Sequence, residues 1–216
     1  MQPAARTGHT ATRTALPLEP QRRHIVDAAL ELAGQDSWEA LRLADVARHL
    51  DCSLDDLRRH FREKEEIVDA WLDRADTAML QAAAADSAED PLERFENAVL
   101  VWLAVLRPHH RVTRQMIAGK LEPGHLHVQF PAVLRISRTV QWLREASGRR
   151  HALPARALDE TLLTGVFVAT FSRWLLDRRG GDLEQARRTL SGLLGGLRQI
   201  SRLPGLGRLA RDDPAT

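Results

Sequence analysis

The 216-residue chain contains no tyrosine and a single cysteine. The lone Cys52 excludes an intrachain disulfide framework and a cluster of thiolates for zinc. It fits a reducing cytoplasm, the compartment expected for this chain. Long apolar runs are missing too: the longest, residues 98–106, is nine residues, too short to cross a bilayer. Residues 1–20 mix Thr, Pro, Ala and Arg and lack the apolar centre of a signal peptide. No stretch alternates β-branched with polar residues over a strand's length. The chain also lacks a nucleophile elbow, a phosphate loop, a dinucleotide fingerprint and an HExxH pattern, so neither an enzyme nor a cofactor is expected. His109-His110 and His125-x-His127 are joined by no cysteine or paired carboxylate at ligand spacing, so no metal is expected either.

What remains is rich in Ala, Leu, Arg and Glu, with 44% hydrophobic and 28% charged residues. That balance is ordinary for a globular chain and leans to helix. The expected fold is all-α with about nine helices. Ile25, Ala28, Ala29 and Leu32 form one helical face, with Gly34 as terminator. Leu43, Val46, Ala47 and Leu50 mark a second, short helix. Asp51-Cys52-Ser53 makes a turn, and Ser53 with Asp56 resembles a capping box in which Asp replaces the usual Glu or Gln. Leu54, Leu57 and Phe61 give a third helix, and a fourth runs over residues 64–85. Five more are expected near 91–107, 110–121, 131–147, 155–179 and 183–202, punctuated by Pro108, Pro123-Gly124, Pro131, Gly148, Pro154 and Gly180-Gly181. Residues 162–171 are apolar nearly all round, which predicts burial on more than one side.

Charge is unevenly spread. Residues 22–74 hold nine Arg and Lys against thirteen Asp and Glu, whereas residues 107–151 hold nine against two, with five His besides.

The second and third helices, joined by a three-residue turn, have the spacing of a helix-turn-helix, with small Ala47 where the helices would cross. Residues 22–67 resemble the DNA-binding region of the TetR family. The resemblance lies in Ile25, Ala28, Ala29 and Leu32, in Val46 and Ala47, in Ser53, Leu57, His60 and Phe61, and in Lys64. It implies a flexible basic arm over residues 1–19, a DNA-binding domain over 20–66, a helical ligand and dimer domain over 67–203, and a tail over 204–216. It further implies phosphate contacts from Arg42 and Lys64, and base and backbone contacts from Ser53, Leu54, Asp55, Arg58, Arg59 and His60 on double-stranded operator DNA. Arg6, Arg13, Arg22 and Arg23 are further candidates.

The chain departs from the family pattern at the interface itself. Asp51 stands where a turn glycine is usual, Leu54-Asp55-Asp56 where small or basic residues are usual, and Arg58 where a phosphate-touching tyrosine is usual. Carboxylates facing a duplex repel phosphates, although Asp can also accept from cytosine N4.

The implied function is a homodimeric, ligand-responsive transcriptional repressor. An apolar or amphipathic effector would meet a pocket drawn from Leu100, Trp102, Leu103, Leu106, Met116, Ile117, Phe130, Leu134, Trp142, Phe167 and Phe171. Dimerisation would fall to the last two helices through Leu162, Val166, Ala169, Leu190, Leu193, Leu194 and Leu197, where Gly192, Gly195 and Gly196 permit close approach. One alternative stays open. Residues 164–170 and 174–177 are similar to the lipid-binding accessory protein of ubiquinone biosynthesis, a TetR-like fold that carries lipid instead of reading DNA. The basic segment 107–151 would then attract an anionic lipid.

Overall fold

The computed structural model describes the backbone of residues 18–120, 126–148 and 155–201, and the side chains of 21–119, 135–148 and 157–199. Nine α-helices fall within these residues: α1 (Leu18–Gln35), α2 (Leu43–His49), α3 (Leu54–His60), α4 (Lys64–Ala85), α5 (Pro91–Leu106), α6 (His110–Lys120), α7 (Leu126–Ser147), α8 (Ala155–Leu175) and α9 (Leu183–Ser201). A 3-10 turn at Arg107–His109 joins α5 to α6. The expected all-α fold is therefore observed. None of the described helices is long and apolar enough to cross a membrane.

Helices α1, α2 and α3 close over Val26, Ala29, Leu30, Val46, Leu57 and Phe61, all buried, and pack on Ile67 and Trp71 of α4. Helix α4 is continuous from Lys64, so the domain boundary expected at 66/67 falls inside its first turn. From there α4 packs along α5 and α7, while α8 and α9 pair with each other and lean on α7 and α5. Helix α5 starts where its sequence says it should. Asp90 accepts the Leu92 N–H at 2.9 Å, and Pro91 fills a first-turn position that has no partner to lose.

Two of the expected helix boundaries shift. Helix α7 begins at Leu126 and runs through Pro131, forfeiting one backbone hydrogen bond near its N-terminal end instead of starting there. Helix α8 stops at Leu175, not 179, because the Asp177 carboxylate collects the N–H groups of Arg179 (3.1 Å), Gly181 (3.0 Å) and Asp182 (2.9 Å). Those bonds hold the Asp177 carboxyl below its ordinary titration range.

Gly180 and Gly181 complete this turn with φ of +88° and +79°. A Cβ on Gly181 would stand 2.7 Å from His110 Cδ2 and 2.8 Å from the Trp174 ring, whereas one on Gly180 meets nothing within 4 Å. Gly181→Ala therefore combines left-handed strain with overpacking and is expected to cost about 2–4 kcal/mol, against about 1–2 kcal/mol for Gly180→Ala. Urea denaturation of the two variants checks this, and equal losses would mean that the turn relaxes away from the His110 and Trp174 rings.

The centre of the larger helical unit is aromatic. Trp102 of α5 meets Phe167 and Phe171 of α8 edge-on, at ring separations of 5.3 and 5.1 Å, and Phe171 stacks on Trp174 at 6.1 Å. One buried polar cluster crosses this core. Asp76 of α4 accepts from Trp102 Nε1 at 2.7 Å and from Thr139 Oγ1 of α7 at 3.2 Å. Arg135 of α7 lies 2.9 Å from the second Asp76 oxygen and 2.6 Å from Asp73. Burial pushes the Asp76 carboxyl above its ordinary value, and Arg135, Trp102 and Thr139 pull it partly back.

The expectation that residues 162–171 are buried on several sides does not hold within one chain. Leu163, Val166, Phe167, Thr170 and Phe171 face inward, while Leu162, Gly165 and Ala169 are exposed. Helical periodicity splits the segment into a core face and an uncovered apolar face.

Candidate nucleic-acid interface

The α2–turn–α3 unit is built from local chemistry. Asp51, at the position where a glycine was expected to be usual, has φ +50°. Aspartate is among the few side chains that enter this left-handed region readily, so the turn closes without glycine. Ser53 then caps α3. Its Oγ accepts the Asp56 N–H at 3.0 Å, and Asp56 Oδ2 accepts the Ser53 N–H at 3.2 Å. The capping box read from the sequence is thus complete. The Ser53 hydroxyl also donates to Asp56 Oδ2 at 2.6 Å, and that bond with the one from the Ser53 N–H holds the Asp56 carboxyl below its ordinary range.

The two neighbouring aspartates consequently do different work. Asp56 is spent on the cap, with Arg59 Nη1 3.5 Å away. Asp55 points outward and pairs with Arg59 at 2.8 Å and with Arg58 Nε at 3.9 Å. All four side chains are more than half exposed. The exposed face of α3 therefore carries balanced charge, not the bare acidic edge that its first residues imply. Leu54, at its start, is 55% exposed and unsupported by the core.

The remaining candidates separate clearly. Arg42 is exposed at the N-cap of α2, in extended backbone. Lys64 is half-buried: its ammonium donates to the carbonyls of Trp38, Leu41 (2.9 Å) and Glu39 (3.4 Å) and sits 4.7 Å from the Trp38 ring centroid. Burial lowers its pKa. That lysine locks the link between α1 and α2, and reaching a phosphate would require it to leave three acceptors. His60 is half-buried, and its carbonyl accepts from Arg22, whose guanidinium lies 4.2 Å over the Phe61 ring. Arg22 is thus a clamp within the domain, not part of an arm. Arg23 is exposed, while Arg6 and Arg13 lie outside the described residues.

Among the pocket residues, Leu100, Trp102, Leu103, Leu106, Met116, Phe167 and Phe171 are buried in one core, and Ile117 packs at their edge. Trp142 is a correction: it is 47% exposed, because the inward face of α7 is set by Arg135, Thr139, Val140, Leu143 and Ser147. Phe130 and Leu134 lie outside the residues whose side chains are described. Of the dimer candidates, Leu162, Ala169 and Leu193 are exposed and Leu197 is half-buried. Val166, Leu190 and Leu194 are core residues of the single chain, at 6%, 0% and 0% exposure, so they are not available to a partner.

The basic segment 107–151 is not one surface. Arg135 sits in the core cluster, and Arg144, 4% exposed, is held between Asp159 (3.4 Å) and Glu160 (3.3 Å). Of the six cations in this segment whose side chains are described, Arg135 and Arg144 are therefore internal, which weakens the charge argument for an anionic lipid. His109 and His110 diverge, one against Trp71 and the other against Trp174.

The fold has counterparts in known proteins. Residues 25–71 match the bacterial regulatory proteins of the tetR family. The fold superposes on a TetR transcriptional regulator from Nitrosomonas europaea with a TM-score of 0.71 and 43% identity, over 83% of this chain and 99% of that one. A TetR transcriptional regulator from Rhodococcus sp. RHA1 shares the fold at 19% identity and a TM-score of 0.56, over 83% and 98% of the two chains. No curated protein matches the chain by sequence. The capped α3, the left-handed turn at Asp51 and the likeness to the Nitrosomonas protein along its whole length agree: the chain belongs to the TetR family and is a DNA-binding transcriptional regulator.

Proposed function

We propose that the chain works as a homodimeric repressor whose two α3 helices read half-sites of a palindromic operator, and that an apolar or amphipathic effector releases it. The observation that carries the dimer is the uncovered face of α8. Leu158 and Leu162 are 47% and 37% exposed, Leu176 at its end is 75% exposed, and Gly165 and Ala169 lie between them. On α9, Leu193 (37% exposed) and the exposed Gly192 add to this surface. An apolar stripe with small residues at its middle fits a second copy of the same pair of helices.

In this reading Arg42, Arg58 and Arg59 contact phosphates, and Leu54 and Asp55 meet base edges, with the Leu54 methyls suited to thymine C5-methyl. An effector entering among α4, α5, α7 and α8 would have to part the rings around Trp102. It would shift the equilibrium only by its preference for a dimer geometry that no longer fits the half-site spacing.

Leu162→Glu places a charge in the stripe without touching the core. Sedimentation of the wild type is expected to give a dimer and of this variant a monomer. The variant's affinity for DNA carrying both half-sites should fall at least about tenfold, since linked binding of two heads is lost. A wild type that sediments as a monomer while binding DNA tightly would overturn the dimeric reading.

A further inference from the structure

Helix α6 is 11 residues long, yet four consecutive features of it hold four other elements. His110, 6% exposed, lies edge-on to Trp174 at 4.5 Å, and its Nε2 donates to the Trp174 carbonyl at 2.8 Å. That carbonyl belongs to the last turn of α8 and also accepts the Asp177 N–H at 3.1 Å, so the imidazole fills its second acceptor position. Arg111 donates to the carbonyl of Gly34 in the last turn of α1. Thr113, fully buried, accepts from Trp71 Nε1 of α4 at 3.0 Å. Gln115 Oε1 accepts the backbone N–H of Trp38, in the link between α1 and α2, at 2.9 Å.

Three of these four bonds end on backbone groups, two of them at the C-terminal ends of helices. Apolar packing between helices tolerates sliding along their axes, but a directional bond to a terminal carbonyl fixes where the helix ends. Each such bond adds only about 1 kcal/mol to stability. Together they define position more than they add strength. One end of α6 grips the α8 terminus, beside the uncovered apolar face, and its flank grips the α1 terminus and the α1–α2 link, which carry α2 and α3.

We infer that His110, Arg111 and Gln115 are positioning residues for operator binding: they make α6 a strut that sets the distance between the dimer face and the recognition helix. The inference rests on the dimeric reading above. It follows that these residues govern which half-site spacing the dimer accepts, not which bases each half-site contains. One inserted base pair displaces a half-site by about 3.4 Å and turns it by about 35°, so a fixed strut rejects it and a loosened one tolerates it.

The test is selection from a random pool of duplex DNA with the full-length wild type, with Arg111→Met/Gln115→Leu, with His110→Phe and with Gln115→Glu. The first variant removes both bonds to the DNA-binding unit. The second keeps the ring contact with Trp174 and removes the donor. The third retains an acceptor for the Trp38 N–H. The wild type should enrich paired half-sites at one spacing. Arg111→Met/Gln115→Leu and His110→Phe should enrich the same half-sites over neighbouring spacings, the preference over one added base pair falling from about tenfold or more to about threefold or less. Gln115→Glu should keep the single spacing. Affinity alone is not the readout, because removing the Arg111 cation lowers it anyway, and a merely destabilised variant would lose all spacings in proportion. Because Arg111 is exposed and Gln115 half-buried, their double variant decides the matter even if His110→Phe does not fold. Variants that keep one spacing overturn the strut and leave the dimeric regulator standing. A wild type that enriches no paired half-sites overturns both.

Discussion

Replacing Asp76 by alanine is expected to lower the unfolding free energy by about 3–5 kcal/mol, the loss typical of leaving one partner of a buried ion pair alone. The carboxylate is 7% exposed and is the meeting point of three helices: α4 supplies it, α5 reaches it through Trp102 Nε1, and α7 through Arg135 and Thr139. Without it the guanidinium of Arg135, 5% exposed, keeps among the described residues only Asp73, whose own side chain is 60% exposed. Arginine cannot escape by losing its proton, and the Trp102 indole N–H is also left bare.

Arg135→Met should behave differently. Aspartate can take up a proton, and burial already pushes the Asp76 carboxyl upward. A carboxyl whose folded pKa is raised contributes stability that is full below its unfolded pKa and is lost as pH rises through the folded pKa. Removing Arg135 raises that folded pKa further, so the deficit of Arg135→Met against wild type should shrink as pH is lowered from 7 toward 5. The deficit of Asp76→Ala, which has nothing to protonate there, should not shrink. Urea midpoints of the three proteins at the two pH values decide this. An Asp76→Ala loss under about 1 kcal/mol would mean that the three helices do not depend on the carboxylate.

How far the sequence could be read follows from the range of each interaction. The α2–turn–α3 unit was legible because its determinants are local: Ser53 and Asp56 are three residues apart, and Asp51 sets its own backbone. The all-α fold was legible from periodicity. Contacts at long separation were not. Nothing within a turn of Lys64 says that its ammonium will lock onto carbonyls more than twenty residues earlier. Trp142 reads as a core residue by composition, and only the phase of α7 against α4 and α5 turns it outward. Val166, Leu190 and Leu194 look no different from Leu162 and Leu193 in a list of apolar residues. Pairing of α8 with α9 inside the chain divides them into core and surface. His110, Arg111 and Gln115 carry no signal in the sequence at all, since their partners are backbone groups with no residue identity.

The aspartates at the head of α3 supply the second large expected effect, and they should part company under mutation. Asp55→Asn is expected to raise affinity for non-specific duplex DNA by about 10–100-fold at low salt, with log affinity falling more steeply against log salt by about one phosphate contact per half-site. Asp55 now occupies Arg59 at 2.8 Å and lies 3.9 Å from Arg58. These are exposed pairs worth little in themselves, about 0–1 kcal/mol, so the intrahelical bond is no obstacle to binding. What the carboxylate costs is its charge beside the phosphates and its competition for the two arginines that would neutralise them. Asparagine keeps the shape and removes both. Asp56→Asn carries the same change in formal charge but breaks into the capping box, because its carboxylate accepts the Ser53 N–H and the Ser53 hydroxyl lies 2.6 Å from it. That variant should fray the start of α3 and gain little or no affinity. With that outcome, two neighbouring residues of one type serve opposite ends, one organising the reading helix and one restraining its grip on arbitrary DNA. If Asp55→Asn leaves both affinity and salt dependence unchanged, Asp55 does not face the duplex. If it tightens non-specific binding while specific binding stays the same, the ratio of the two falls, and Asp55 is a source of discrimination.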